Sequence, residues 1–90
     1  MYDYAGPSII EMIEDERDKA EGSYRHGLDI ALDTINGANK KDERPIQWLK
    51  SELANAKTTG GTEGEIRGIE TALHIFTHTY DWYFNHYQGA

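Results

Sequence analysis

The sequence predicts an all-α protein, a small bundle in which a long helix, a short helix and a second long helix follow one another. Two long stretches carry apolar residues at gaps of three, four and seven, which is the spacing of amphipathic helices. No segment alternates apolar and polar residues over the length of a strand. Because 90 residues suffice for only one small core, we expect a single helical domain over residues 1–90.

The first long helix is predicted over residues 8–36. Ser8 can cap its first turn, and Gly37 can take the left-handed position just past its last turn, which is a stop signal. Gly22 and Gly27 each weaken the helix interior by about 1 kcal/mol relative to alanine. They therefore mark either a bend or a place where another backbone comes close.

The short helix is predicted over residues 43–57, with Trp48 beside its apolar stripe. The second long helix is predicted over residues 62–88, because Thr62 and Glu65 have the spacing of a capping box. Its apolar seam repeats at gaps of three and four and consists of Ile66, Ile69, Leu73, Phe76, Tyr80, Tyr83 and Tyr87. We expect the middle of this seam, from Leu73 to Tyr83, to be buried against the first helix.

The two long helices share a short pattern. His26–Leu32 aligns without gaps onto Arg67–Leu73, with a glycine, a branched aliphatic residue, an acid and Ala-Leu in common. A duplication would produce this pattern, and so would two helices that cross at small residues. We favour the crossing, because a single pair of copies is far from a repeat array.

The composition excludes several classes of protein. The chain has no cysteine, which excludes disulfide scaffolds, zinc ribbons and thiol catalysis. A net charge of −7 disfavours direct binding to a nucleic-acid backbone. No apolar run approaches the ~20 residues of a membrane span. We therefore expect a cytoplasmic protein that has no cofactor and binds neither nucleic acid nor membranes directly.

A block of carboxylates in the first helix is the predicted partner-binding surface. It consists of Glu11, Glu14, Asp15, Glu16, Asp18 and Glu21. A row of carboxylates complements a surface of lysines and arginines, such as the groove of a nucleic-acid-binding protein. The alternative is a solvated helix face without a partner.

The second long helix ends in a cluster of aromatic residues. One amphipathic helix needs a single apolar stripe, yet this end is aromatic on nearly every side. Within the cluster, Trp82 and Phe84 are expected to point away from the seam. The alternative to an interface is core packing against Tyr2, Tyr4 and Trp48. We predict a homodimer interface that consists of Tyr80, Trp82, Phe84 and Tyr87.

Three residues of the same helix are candidate metal ligands. His74 and His78 lie one turn apart and Asp81 follows about one turn later, so they could hold a divalent metal. The alternative is a pair of histidines that form hydrogen bonds at a helix interface. No nucleophile, base and acid can be assembled into a catalytic set, and we therefore predict that the protein is not an enzyme.

Glu63–Leu73 reads E-G-E-I-R-G-I-E-T-A-L. This segment resembles a helix of many short orphan proteins of bacteriophages, which often read E-G-x-I-x-G-[IL]-x-x-A-L. The resemblance covers about an eighth of the chain. It implies a phage or mobile-element origin and, by analogy, an inhibitor of host defence such as an anti-CRISPR protein, acting in the host cytoplasm. It transfers no catalytic or binding residue.

These observations predict a non-enzymatic acidic protein that binds a basic protein surface and inhibits a nucleic-acid-handling complex. Two alternatives stay open at this point. One is a structural or regulatory helical homodimer, and the other is a histidine-based metal-binding bundle.

Overall fold

The structure, a computed structural model, describes residues 7–88 and contains helices and loops but no strand within that range. The predicted all-α class is confirmed. Tyr2 and Tyr4 lie outside the described residues, and so does the predicted packing of the aromatic cluster against them. The helices are α1 (Ile9–Lys19), α2 (Gly22–Lys40), α3 (Pro45–Thr58), α4 (Glu63–Thr77) and α5 (Thr79–Tyr83), followed by a short π-helix, Phe84–Gln88.

The first long helix is interrupted, so the prediction of one helix over residues 8–36 is wrong. α1 ends at Lys19, Ala20 and Glu21 are extended, and Gly22 begins α2 with a φ of +64°. Glycine adopts this left-handed conformation without strain, whereas a residue with a side chain does not. Gly22 therefore marks the bend that its position in the sequence suggested, and the buried side chain of Ala20 anchors the bend in the core.

α2 continues past the predicted stop at Gly37 and ends at Lys40. Asp42, not Gly37, takes the left-handed conformation, with a φ of +56°. Gly37 instead accommodates Trp48 of α3, since a Cβ at position 37 would lie 3.2 Å from Cζ3 of the indole. This glycine serves a contact between helices rather than the end of one.

α2 and α4 cross at small residues, as the shared pattern predicted. A Cβ at Gly68 would lie 2.6 Å from the backbone oxygen of Tyr24 and 2.7 Å from Cα of Gly27. A Cβ at Gly27 would in turn overlap the backbone carbonyl of Glu65. Only residues without a Cβ allow this approach, so the backbones of α2 and α4 meet directly.

The core is centred on α2 and α4, and α1 and α3 each pack against both of them. The largest fully buried side chains are Met12, Ile13, Leu28, Ile35, Leu49, Ile69 and Ile75. Within residues 7–88, no helix combines the length and the apolar character needed to cross a bilayer.

The buried face of α4 lies to one side of the predicted seam. Gly68 meets α2 directly, and the residues buried with it are Ile69, Ala72 and Ile75. Leu73 and Phe76 of the seam are consequently only partly buried. Beyond the end of α4, Tyr80 is 46% exposed, so the prediction that it is buried is wrong.

α1 and α4, which begin where the two long helices were predicted to begin, each start with a capping box. In α4, the N–H of Glu65 donates to Oγ1 of Thr62 at 3.2 Å, and the N–H of Thr62 donates to Oε1 of Glu65 at 3.0 Å. This capping box was predicted, and it is confirmed. Ser8 caps α1, also as predicted, and forms a second capping box with Glu11 that the sequence reasoning missed.

The second long helix is interrupted as well, so the prediction of a continuous helix over residues 62–88 is wrong. α4 ends at Thr77, and His78 leaves the helical conformation with φ −128° and ψ 48°. The hydroxyl of Thr77 donates to the backbone oxygen of Leu73 at 2.9 Å, and that of Thr79 donates to the oxygen of Ile75 at 2.9 Å. Such side-chain bonds to backbone carbonyls compete with regular helix bonding and favour a kink.

Candidate interaction surface

Four of the predicted acidic residues share one side of α1. Glu11, Glu14, Asp15 and Asp18 repeat at gaps of three and four, which aligns them along the helix. Three of them are exposed and Glu14 is half-buried. We call these four residues the acidic face. Glu21 lies beyond the end of α1, in the extended link to α2, so it does not belong to this row.

Glu16, also predicted to bind a partner, points to a different side of α1. Its Oε2 accepts a hydrogen bond from the hydroxyl of Tyr24 at 2.9 Å, and that hydroxyl lies 3.2 Å from Oγ1 of Thr71. Burial is the main reason why the pKa of Tyr24 is raised above its ordinary value. The Glu16 carboxylate adds to the shift and the Thr71 hydroxyl opposes it. Glu16 thus joins α1 to α2 and α4, and we remove it from the predicted partner surface.

The acidic residues differ in how far the protein neutralises them. Arg17 places Nη2 3.2 Å from Oδ1 of Asp18 and Nη1 3.7 Å from Oδ1 of Asp29 on α2. Glu11 accepts the backbone N–H of Ser8 at 2.8 Å in the capping box. Glu14 forms no ion pair with any described residue. Of these carboxylates, Glu14 is therefore the one that the fold compensates least.

The C-terminal aromatics divide into an inner and an outer group. Trp82 and Tyr83 pack against the core, so the prediction that Trp82 points away from it is wrong. The interruption at His78 changes the direction in which the following side chains project. Phe84 is 50% exposed, and its ring meets that of Tyr80 edge to face at 5.6 Å. We call the exposed residues Tyr80, Phe84 and Tyr87 the aromatic ridge.

One hydrogen bond connects the aromatic ridge to the acidic face. The hydroxyl of Tyr87 donates to Oδ2 of Asp15 at 2.6 Å, across 72 positions of the sequence. A bond this short to a carboxylate is a strong one. The two surfaces predicted separately from the sequence are therefore contiguous in the fold.

The three candidate metal ligands are not brought together. The rings of His74 and His78 stack with their centroids 4.6 Å apart and their planes 15° apart. Imidazole lone pairs lie in the ring plane, so two rings stacked in this way do not aim nitrogens at a common ion. Among residues 7–88, no group of three or more histidine and carboxylate side chains is placed to hold a metal ion. The candidate ligands His74, His78 and Asp81 are therefore not assembled into a metal centre.

A groove that was not predicted from the sequence lies between α2 and α3. Its volume is about 410 Å³, and it is lined by Asp33, Thr34, Trp48, Ser51 and Glu52. The spacing of Trp48 and Glu52, four residues apart on the short helix, does place both side chains on one face. The side of α2 that faces them could not be identified from spacing alone.

No family model, curated protein or solved structure matches the chain. Two glycines of Glu63–Leu73, the segment on which the expected resemblance to phage proteins depends, are required by packing. Gly68 touches α2, and a Cβ at Gly64 would overlap the side chain of Ser23.

Proposed function

We propose that this protein is a non-enzymatic binding protein that docks the acidic face and the aromatic ridge on a basic surface of another protein. The observation that carries the proposal is the 2.6 Å bond between Tyr87 and Asp15, which makes the two surfaces one. Carboxylates attract lysine and arginine, and aromatic faces bind the same cations through their π-electrons. A surface that combines the two is suited to a partner rich in these residues.

The partner class that fits best is a protein that handles nucleic acid. Its binding groove is lined with lysine and arginine, and a row of carboxylates competes with phosphates for them. Occupation of such a groove would inhibit the partner. The resemblance of Glu63–Leu73 to phage proteins agrees with an inhibitor of host defence, of which anti-CRISPR proteins are examples.

The test is a pair of charge-matched variants in a capture experiment. Glu14→Lys with Asp18→Lys reverses two charges on the acidic face. Neither residue is part of a capping box or of the hydrogen-bonded group formed by Glu16, Tyr24 and Thr71. The control, Glu63→Lys with Glu70→Lys, changes the net charge equally on α4. Each protein is immobilised and exposed to a bacterial lysate at low and at high salt, and the captured proteins are identified by mass spectrometry.

We expect the wild type and the control to retain the same nucleic-acid-binding protein at low salt. High salt or added nucleic acid should release it, because the attraction is electrostatic. The acidic-face variant should not retain it. Equal capture by the two variants would contradict the acidic face as the docking surface.

A homodimer is the second candidate function, favoured by the exposure of Phe84 and Tyr80 side by side. Exposed aromatics of this kind are enriched at protein interfaces. Light scattering of the purified protein over a range of concentrations distinguishes the two candidates. A mass of twice the chain would support the dimer, and a monomer at high concentration would remove it.

A further inference from the structure

The groove between α2 and α3 is separate from the surface proposed above, because neither α1 nor α5 contributes to its lining. One wall presents Asp33 and Thr34 from α2, and the other presents Trp48, Ser51 and Glu52 from α3. Its volume of about 410 Å³ is within the range of small-ligand sites. The groove therefore combines an indole, two carboxylates and two hydroxyls.

The indole of Trp48 is held in place at both ends. Its Nε1 donates to Oε1 of Glu43 at 2.8 Å. Its six-membered ring lies against Gly37, where a Cβ would be 3.2 Å from Cζ3. A ring fixed in this way loses little freedom when a ligand binds, which is the physical basis of preorganisation.

The charge of the groove is not compensated by the protein. Neither Asp33 nor Glu52 forms an ion pair with any described residue. Two carboxylates beside an aromatic ring attract a cation, and tryptophan is the aromatic residue that binds cations best. A planar guanidinium can stack on the ring and donate to carboxylates with its edge, which a lysine ammonium cannot do.

We propose that the groove between α2 and α3 binds the guanidinium group of an arginine side chain from a partner protein, stacked on Trp48 and paired with Asp33 and Glu52. The hydroxyl of Ser51 is available to accept one further N–H. The hydroxyl of Thr34 already donates to the backbone oxygen of Ile30 at 2.8 Å, so toward a ligand it can act only as an acceptor. The site goes beyond the proposed function and does not depend on it.

The experiment is an NMR titration of the ¹⁵N-labelled protein with N-acetyl-arginine methylamide. The analogous derivative of citrulline, which has the same shape without the charge, is the ligand control. The indole N–H signal of Trp48 reports on the groove and that of Trp82 on the rest of the molecule. We expect a saturable shift of the Trp48 signal with the arginine derivative and none with citrulline. The lysine derivative should bind about twofold more weakly, because it stacks less well.

Two variants with equal changes in net charge separate a site from general attraction. Asp33→Asn with Glu52→Gln should weaken arginine binding at least about threefold, the effect expected for the loss of exposed ion pairs. Glu14→Gln with Asp18→Asn should leave it unchanged.

Three results would overturn the binding site itself. They are equal weakening by both variants, equal shifts with citrulline, and a response at Trp82 without one at Trp48. Lysine binding as tight as arginine binding would overturn the assignment to a guanidinium. The acidic-face variant also keeps failure here distinct from failure of the proposed function, since that variant alters only the other surface.

Discussion

Gly68 determines how closely the two central helices approach. A Cβ at this position would lie 2.6 Å from the backbone oxygen of Tyr24, and backbone cannot move aside as a flexible side chain can. The cost of an added methyl group therefore exceeds the gain in helix propensity that alanine brings. Gly68→Ala should therefore lower stability if Gly68 lies at a helix crossing, whereas it would raise stability if Gly68 were an ordinary exposed helix residue.

We expect Gly68→Ala to lower the free energy of unfolding by about 1–3 kcal/mol, the usual cost of overpacking. At an open helical site the same substitution would raise it by about 1 kcal/mol. Urea denaturation followed by circular dichroism measures the difference. Arg25→Ala, an exposed substitution on α2, is the control and should change stability by less than about 0.5 kcal/mol.

Glu65 couples the capping of α4 to pH. The backbone N–H and the hydroxyl of Thr62 lower the pKa of Glu65 below its ordinary value of 4.5, and His26 adds to this effect. A lowered pKa in the folded state means that the carboxylate stabilises the fold above its ordinary pKa. That contribution is lost as the pH falls through the pKa of the folded state.

We therefore expect that the free energy of unfolding of the Glu65→Gln variant falls less steeply than that of the wild type as the pH drops below 4.5. Denaturant titrations at a series of pH values measure this slope. Glu63→Gln removes an equal charge from the same turn without touching the capping box. If that control flattened the profile as much, the effect would be one of net charge and not of the cap.

At the scale of elements, the bend between α1 and α2 depends on one backbone conformation. Gly22 has a φ of +64°, and an added Cβ there would meet no atom within 4 Å. Space is therefore not the constraint at this position, and only the left-handed backbone disfavours a side chain. Gly68 is the opposite case, because its backbone is helical and lack of space is what excludes a side chain.

We expect Gly22→Ala to lower the free energy of unfolding by about 1–2 kcal/mol, the cost of the left-handed conformation for an L-residue. Gly22→Asn should cost less, because asparagine tolerates this conformation better. Thermal and urea unfolding of both variants provide the comparison. A gain in stability with alanine would instead indicate one continuous helix over residues 8–36, as predicted from the sequence.

At the scale of the whole molecule, the bundle is flat. Its principal extents are 42 × 30 × 16 Å, so a large share of its residues lies near the surface. A small domain of this shape has a thin core and covers few of its aromatic residues completely. Trp82 packs against that core, whereas Phe84 stays half exposed.

The two aromatics should therefore respond differently to truncation. Trp82→Ala should lower the free energy of unfolding by about 2 kcal/mol, because it removes part of the core packing. Phe84→Ala should change it by less than about 0.5 kcal/mol. Any self-association seen by light scattering should be weakened by Phe84→Ala. A large loss of stability in the Phe84 variant would place this ring in the core.

The predictions that failed are those that depend on contacts between residues far apart in the sequence. The acidic row at Glu11, Glu14, Asp15 and Asp18 follows from spacing within one helix, so it could be found from the sequence. Glu16 has the same chemistry, but its role depends on Tyr24 and on Thr71, 47 positions beyond Tyr24. The groove at Trp48 was missed because one of its walls comes from α2 and the other from α3.

The sequence by itself determined the all-α class, the capped starts of α1 and α4, and the small-residue contact between α2 and α4. Each of these follows from interactions between neighbours along the chain or from the absence of a Cβ. Only the tertiary structure decided that the long helices are interrupted at Gly22 and His78, and that Tyr87 reaches Asp15. The physical reason is that a helix continues or ends according to the packing energy of both parts, and that energy depends on contacts between residues far apart in the sequence.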